Sequence, residues 1–149
     1  MNRHPYLRAF LAGAFLPTVA LPLALTAFIV LRLVMQVPFA IERGLVFPMG
    51  LVPVLWGLWN MLWLGTHGRT HLRLGLHGAL LPFLLLPGGT LLGSSLGVLS
   101  LGAASATWFN AVSVPYGLVA CLFTAALIGY YLVWKYIVGF VNRELALMG

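Results

Sequence analysis

His67, His71 and His77 are the side chains of this sequence with the widest chemical reach. Imidazole ligates zinc, copper and haem iron, and it exchanges protons near neutral pH. The i, i+4 spacing of His67 and His71 would place two ligands on one helix face. Gly68 separates them, however, and no carboxylate or cysteine stands close by, so they are weak candidates for a metal. His77 differs because it follows Arg73 by one helical turn and already lies inside an apolar run. There it could relay a proton, hold a haem or quinone headgroup, or bond a backbone carbonyl. None of the three histidines by itself calls for a cofactor.

The remaining polar groups divide between a pathway and a boundary. Asn60 shares a helix face with Trp56 and Trp63, where its amide is expected first to hydrogen-bond across helices; with His77, Asn110 and Arg32 it also makes up the set that would line a polar route through apolar surroundings. Such groups are expensive inside a membrane and tend to be functional. Lys135 stands among Tyr130, Tyr131, Trp134 and Tyr136, where its stem can snorkel to the headgroups beside an aromatic belt. Arg69 and Arg73 belong to the most polar stretch, Thr66 to Arg73. With Lys135 they are expected to meet anionic lipid phosphates.

Several chemistries lack their residues. The two acids, Glu42 and Glu144, fall at segment ends, and there is no aspartate. Paired-carboxylate hydrolysis, a Ser-His-Asp triad, acidic-motif magnesium chemistry and a phosphate-cradling glycine loop are therefore excluded. No intramembrane carboxylate is present to drive proton-coupled export. The single cysteine, Cys121, rules out an internal disulfide. The chain reads more as a non-enzyme than as an enzyme, with the question left open.

The elements that must position these residues follow from hydropathy. The 149 residues are 62% hydrophobic and only 7% charged, with a mean hydropathy of +1.04. A soluble domain has roughly 25% charged residues. The net charge of +6 does not indicate nucleic acid, because the cations punctuate apolar runs instead of clustering on a solvated face. Arg3 and Arg8 precede an apolar run too long for a signal peptide core and without a small-residue cleavage site, so it is expected to be a retained helix.

These features predict an all-α integral membrane bundle, a single domain of four transmembrane helices kinked by prolines, with spans at about 9–33, 45–65, 74–100 and 110–141. The third is open to a break or re-entrant turn at Pro87-Gly88-Gly89. A rival parse divides it into Leu74 to Leu86 and Thr90 to Ala106, but neither piece reaches the roughly 30 Å of hydrocarbon. The connection at Val37 to Ile41 could lie at the interface. In the four-span parse Arg3, Arg8, Arg69, Arg73, Lys135 and Arg143 gather on one side, against Arg32 and Arg43 on the other. The positive-inside rule then puts both termini in the cytoplasm. Gly89, Gly93 and Gly97, spaced i, i+4, i+8, predict a smooth helix ridge for close packing against another helix.

The function expected first is a homo-oligomeric channel or transporter subunit for ions or small solutes. A non-catalytic accessory or scaffold subunit of a larger membrane complex is the alternative, and a haem- or quinone-binding protein using His77 comes third. The expected partners are membrane lipids and either further copies of the chain or a larger complex, with no nucleic acid. Short loops and the preference for arginine over lysine suit a bacterial inner membrane.

Overall fold

The computed structural model describes residues 4–36 and 47–147. Helix α1 (Pro5–Ile29) continues into a π-helical turn, Val30–Val34. It is followed by α2 (Phe47–Thr70) and α3 (Leu74–Ser95), then by three short strands, β1 (Leu99–Leu101), β2 (Ser105–Trp108) and β3 (Val112–Pro115). Helix α4 (Tyr116–Val133) runs through a second π-helical turn, Trp134–Val138, into α5 (Gly139–Glu144). The Val37–Ile41 connection, Glu42, Arg43 and Arg3 lie outside the described residues.

Among the described residues three helices are long and apolar enough to cross a membrane: Pro5–Val34, Leu74–Ser95 and Tyr116–Glu144. This is a multi-pass membrane protein by length and composition. Helix α2, with 24 residues, has the length but is diluted by Trp56, Trp59, Trp63, Asn60, His67 and Arg69, and it falls outside that set. The prolines do not interrupt the helices. Pro17 and Pro22 lie inside α1, Pro53 inside α2, and Pro82 and Pro87 inside α3. Prolines are tolerated in such helices, and below Pro22 the helix is braced by Thr26 Oγ1, which donates to the Pro22 carbonyl at 2.8 Å.

The expectation of an all-α chain is corrected between α3 and α4. Helix α3 passes unbroken through Pro87-Gly88-Gly89 and stops at Ser95, short of the expected 100. Gly97 is the reason: it adopts φ +68°, the Gly97 amide donates to the Ser94 carbonyl at 3.1 Å, and the Val98 amide donates to the Gly93 carbonyl at 2.9 Å. This pair of bonds with a left-handed glycine is the Schellman helix stop. Neither a re-entrant piece nor a fifth helix forms over Thr90 to Ala106.

Instead, residues 99–115 form an antiparallel meander in the order β1-β2-β3. Thr107, Val112 and Val114 are β-branched and suit strands. The β2–β3 turn places Phe109 and Asn110 in the left-handed region and closes with the Ala111 amide bonding the Trp108 carbonyl at 2.9 Å. That geometry matches hairpin twist. Helix α4 accordingly starts at Tyr116, not near Asn110. An open sheet edge is excluded from hydrocarbon, which assigns the meander to a water-facing end.

The helices pack as two pairs. On α1 the small residues Ala9, Gly13 and Pro17, at i, i+4 and i+8, are buried. They meet α2, where a Cβ on Gly13 would strike the Trp56 carbonyl and come within 2.8 Å of the Asn60 Cβ. The other pair is α3 with α4 and its π turn. There Gly75 admits the ring of Tyr131 and Gly78 admits Trp134. Between the pairs lies a core of Trp56, Trp63, Leu74, Leu81, Trp134 and Val138.

Candidate functional site

The polar groups of the bundle collect where the two pairs meet, at the end that holds the first turn of α3 and the last turns of α2 and α5. Asn60 and Asn142 are both fully buried and bond each other reciprocally. Asn60 Nδ2 donates to Asn142 Oδ1 at 2.8 Å, and Asn142 Nδ2 donates to Asn60 Oδ1 at 3.2 Å. The second Asn60 proton reaches the Ala9 carbonyl at 2.8 Å. One amide pair thus ties α2 to α1 and α5. Arg8 adds a contact between chain ends, donating to the Leu145 carbonyl at 3.2 Å.

Tryptophans on one face of α2 fasten the start of α3. Trp59 Nε1 donates to the His77 carbonyl at 2.9 Å, and His77 Nε2 donates in return to the Trp59 carbonyl at 3.0 Å. The two rings stack with centroids 4.7 Å apart, and Trp134 approaches His77 edge-on. Trp63 Nε1 bonds the Leu72 carbonyl at 3.1 Å, where His67 Nδ1 also points at 3.3 Å. His77 therefore fills its bonding capacity toward α2 with a backbone carbonyl. His71 is exposed in a left-handed conformation just past α2. Among the described residues no three of His, Cys, Asp and Glu gather where they could hold a metal.

The residues singled out for a pathway are not brought together. Asn60 and His77 sit in the seam between the helix pairs, each with a partner inside the protein. Asn110 is exposed in the β2–β3 turn. Arg32 is exposed in the π turn that ends α1, far along the chain's length from the Asn60 pair. The expected glycine ridge is divided as well. Nothing lies within 4 Å of a Cβ placed on Gly89, Gly93 abuts Leu99 of its own β1, and Gly97 is the helix stop.

Of the three residues expected at headgroups, Arg73 and Lys135 line one cavity of about 220 Å³ together with Arg143, whereas Arg69 is exposed on the last turn of α2 outside it. Lys135 Nζ rests 5.0 Å from the ring of Tyr136 and 5.6 Å from that of Tyr131. Sequence reasoning used Arg143 only for orientation and missed Asn142, both near the end of the sequence. It also missed the Ala9-Gly13-Pro17 ridge, although its i, i+4, i+8 spacing is the same signal that drew attention to Gly89, Gly93 and Gly97.

Comparison with known proteins returned nothing: no family model, no curated protein and no solved structure matches this chain.

Proposed function

We propose that the chain is a four-crossing membrane protein, with α2 as the fourth span beside α1, that works as a non-catalytic accessory or scaffold subunit by lateral association in the bilayer. The observation that carries this reading is the mutual satisfaction of the buried polar side chains. Asn60 bonds Asn142 and the Ala9 carbonyl, and His77 bonds the Trp59 carbonyl, so among the described residues these groups brace the bundle and do not line a polar route. The outer spans contribute surface: only 6% of the most apolar window of Tyr116–Glu144 is buried within the chain, and 11% of that of Pro5–Val34. Helices so lightly packed have wide faces for lipid or for another protein.

The homo-oligomeric channel is the second reading, favoured by those same faces. It would need its polar groups at a subunit boundary. On α4 the outward positions include Cys121 and Thr124, and the hydroxyl of Thr124 is spent on the Ala120 carbonyl at 2.9 Å.

Particle mass in mild detergent separates the two readings. A hetero-complex is expected, with no disulfide-linked dimer on mild oxidation through Cys121. A discrete homo-oligomer that crosslinks efficiently at Cys121 would transfer the assignment to the channel.

The orientation belongs to the same proposal. Arg8, Arg69, Arg73, Lys135 and Arg143 gather at one end and Arg32 stands at the other, which by the positive-inside rule turns both chain ends to the cytoplasm. A Cβ on Gly68, near the end of α2, would have nothing within 4 Å, so a thiol is tolerated there. In Gly68→Cys on a Cys121→Ser background, an impermeant thiol reagent is expected to label permeabilised cells and to leave intact cells unlabelled. Labelling of intact cells would invert the topology.

A further inference from the structure

We propose that the α3–α4 pair binds one anionic phospholipid, with its phosphate in the cavity of Arg73, Lys135 and Arg143 and an acyl chain in the apolar trough beside it. The inference stands apart from the scaffold reading and needs only that the chain sits in a membrane.

Three cations from three separate parts of the chain converge on this cavity: Arg73 precedes α3, Lys135 lies in the π turn after α4, and Arg143 lies on α5. All three are exposed, and Glu144, the one acidic side chain among the described residues, is not part of the lining. Helix α3 begins here with no acidic residue in its first turn and no side-chain cap. The free amides of that turn add to the positive field. Glycine keeps the space open: a Cβ on Gly139 would lie 3.8 Å from Arg143 Nη1, and one on Gly75 would lie 2.9 Å from the Tyr131 ring.

The depth is right for a headgroup. The 22 residues of α3 span about 33 Å at about 1.5 Å per residue, matched to a hydrocarbon core of about 30 Å. Arg73, immediately before the helix, therefore stands at phosphate level. Basic pockets between spans on the positive side of a membrane recognise anionic headgroups.

The groove identifies a lipid in preference to a free anion. Leu72, Leu76, Ala79, Leu80, Phe83 and Leu127 line an open apolar trough of about 340 Å³. Ala79 is one turn deeper on α3 than Gly75, and Leu127 is one turn deeper on α4 than Tyr131. The trough shares no lining residue with the cavity but starts beside it at Leu72, next to Arg73, and runs down α3 to Phe83, so charge at the surface and an apolar trough toward the bilayer centre lie side by side on the α3–α4 pair. That is the polarity profile of a phospholipid.

The test uses full-length protein in nanodiscs holding equal amounts of phosphatidylglycerol and phosphatidylcholine, with retained lipid measured by native mass spectrometry. Phosphatidylglycerol is expected to be retained selectively. Lys135→Gln should cut its preference about fivefold, and Arg73→Gln, Lys135→Gln and Arg143→Gln together about a hundredfold. Arg69→Gln, outside the cavity, should leave it unchanged. Ala79→Phe, which fills the trough without touching a charge, should weaken lipid retention and leave binding of inorganic phosphate in detergent as it was. Equal retention of the two lipids, or an Arg69→Gln effect as large as that of Lys135→Gln, would overturn the site in favour of diffuse surface charge. Displacement of the lipid by millimolar inorganic phosphate, with Ala79→Phe silent, would overturn it in favour of a free anion.

Discussion

Gly78→Ala is expected to cost about 3 kcal/mol or more of stability, measured by loss of helical circular dichroism as sodium dodecyl sulfate is titrated into the detergent-solubilised protein. A methyl group at this position would fall on the indole of Trp134. That ring is fully buried and backed by Trp56 at a centroid distance of 5.6 Å, so it has no free rotamer to escape into. Overpacking a close-packed core costs about 1–3 kcal/mol even where neighbours yield. Trp134 Nε1 has no hydrogen-bond partner among the described residues, which means that shape alone fixes the ring. Trp134→Ala should by itself cost about 3–5 kcal/mol. The decisive measurement is the double variant. The new methyl would also fall on the Trp134 Cβ, which alanine keeps, so the space is cleared only by glycine: Gly78→Ala with Trp134→Gly should be no less stable than Trp134→Gly alone. Additive losses would sink the packing account. Gly88→Ala on the same helix is the contrast: nothing lies within 4 Å of its Cβ, and alanine should match glycine there or improve on it by about 0.5–1 kcal/mol.

The second large effect is expected at the buried amide pair. Asn60→Leu removes a side chain that makes three hydrogen bonds, two with Asn142 and one to the Ala9 carbonyl, and it leaves Asn142 sealed without its partner. A stranded buried amide costs about 1–3 kcal/mol. Asn142→Leu should cost less, since Asn60 would retain its bond to Ala9. In membrane proteins interhelical bonds average about 0.6 kcal/mol in double-mutant cycles and reach about 1.7. Two reciprocal bonds closed from solvent should place this pair near the upper figure. The double Asn60→Leu, Asn142→Leu variant is therefore expected to be more stable than the sum of its singles by about 1–2 kcal/mol. Strict additivity in the same titration would show that the pair contributes no coupling.

The membrane character was plain in the sequence because hydropathy is a sum over many residues and tolerates local error. The helices around Pro17, Pro22 and Pro53 were legible for the same reason. The end of α3 was not, because a run of Gly, Ser, Ala, Leu and one Val from Gly93 to Ala106 carries no charge or long polar side chain to separate an apolar helix from an interfacial strand. The signals were present but short. Gly97 one residue after Leu96 is a helix stop, and Thr107 to Val114 contains a hairpin turn at Phe109-Asn110. Glycine spacing told less than expected, since the same i, i+4 pattern marks a buried ridge at Ala9 and Gly13 and open surface at Gly89. Periodicity gives the face of a helix, whereas burial depends on which neighbour arrives. Among candidate site residues, Asn60 and His77 stood out as polar groups in apolar runs, and a backbone carbonyl was one partner expected for His77, but that the partners are Asn142 and the Trp59 carbonyl could not be foreseen. One is far away in sequence, and the other belongs to a backbone that any residue shares.

The placement of the tryptophans gives the protein an optical property of its own. Trp56, Trp59, Trp63 and Trp134 share one seam, with Trp56 and Trp134 close enough to couple their excited states, while Trp108 stands partly exposed on the sheet beyond the other end of α3. Emission from the four should be blue and insensitive to aqueous quenchers, and that from Trp108 red and readily quenched. Replacing Trp108 by Phe would leave a spectrum that reports only on how the two helix pairs are seated against each other, without any added dye.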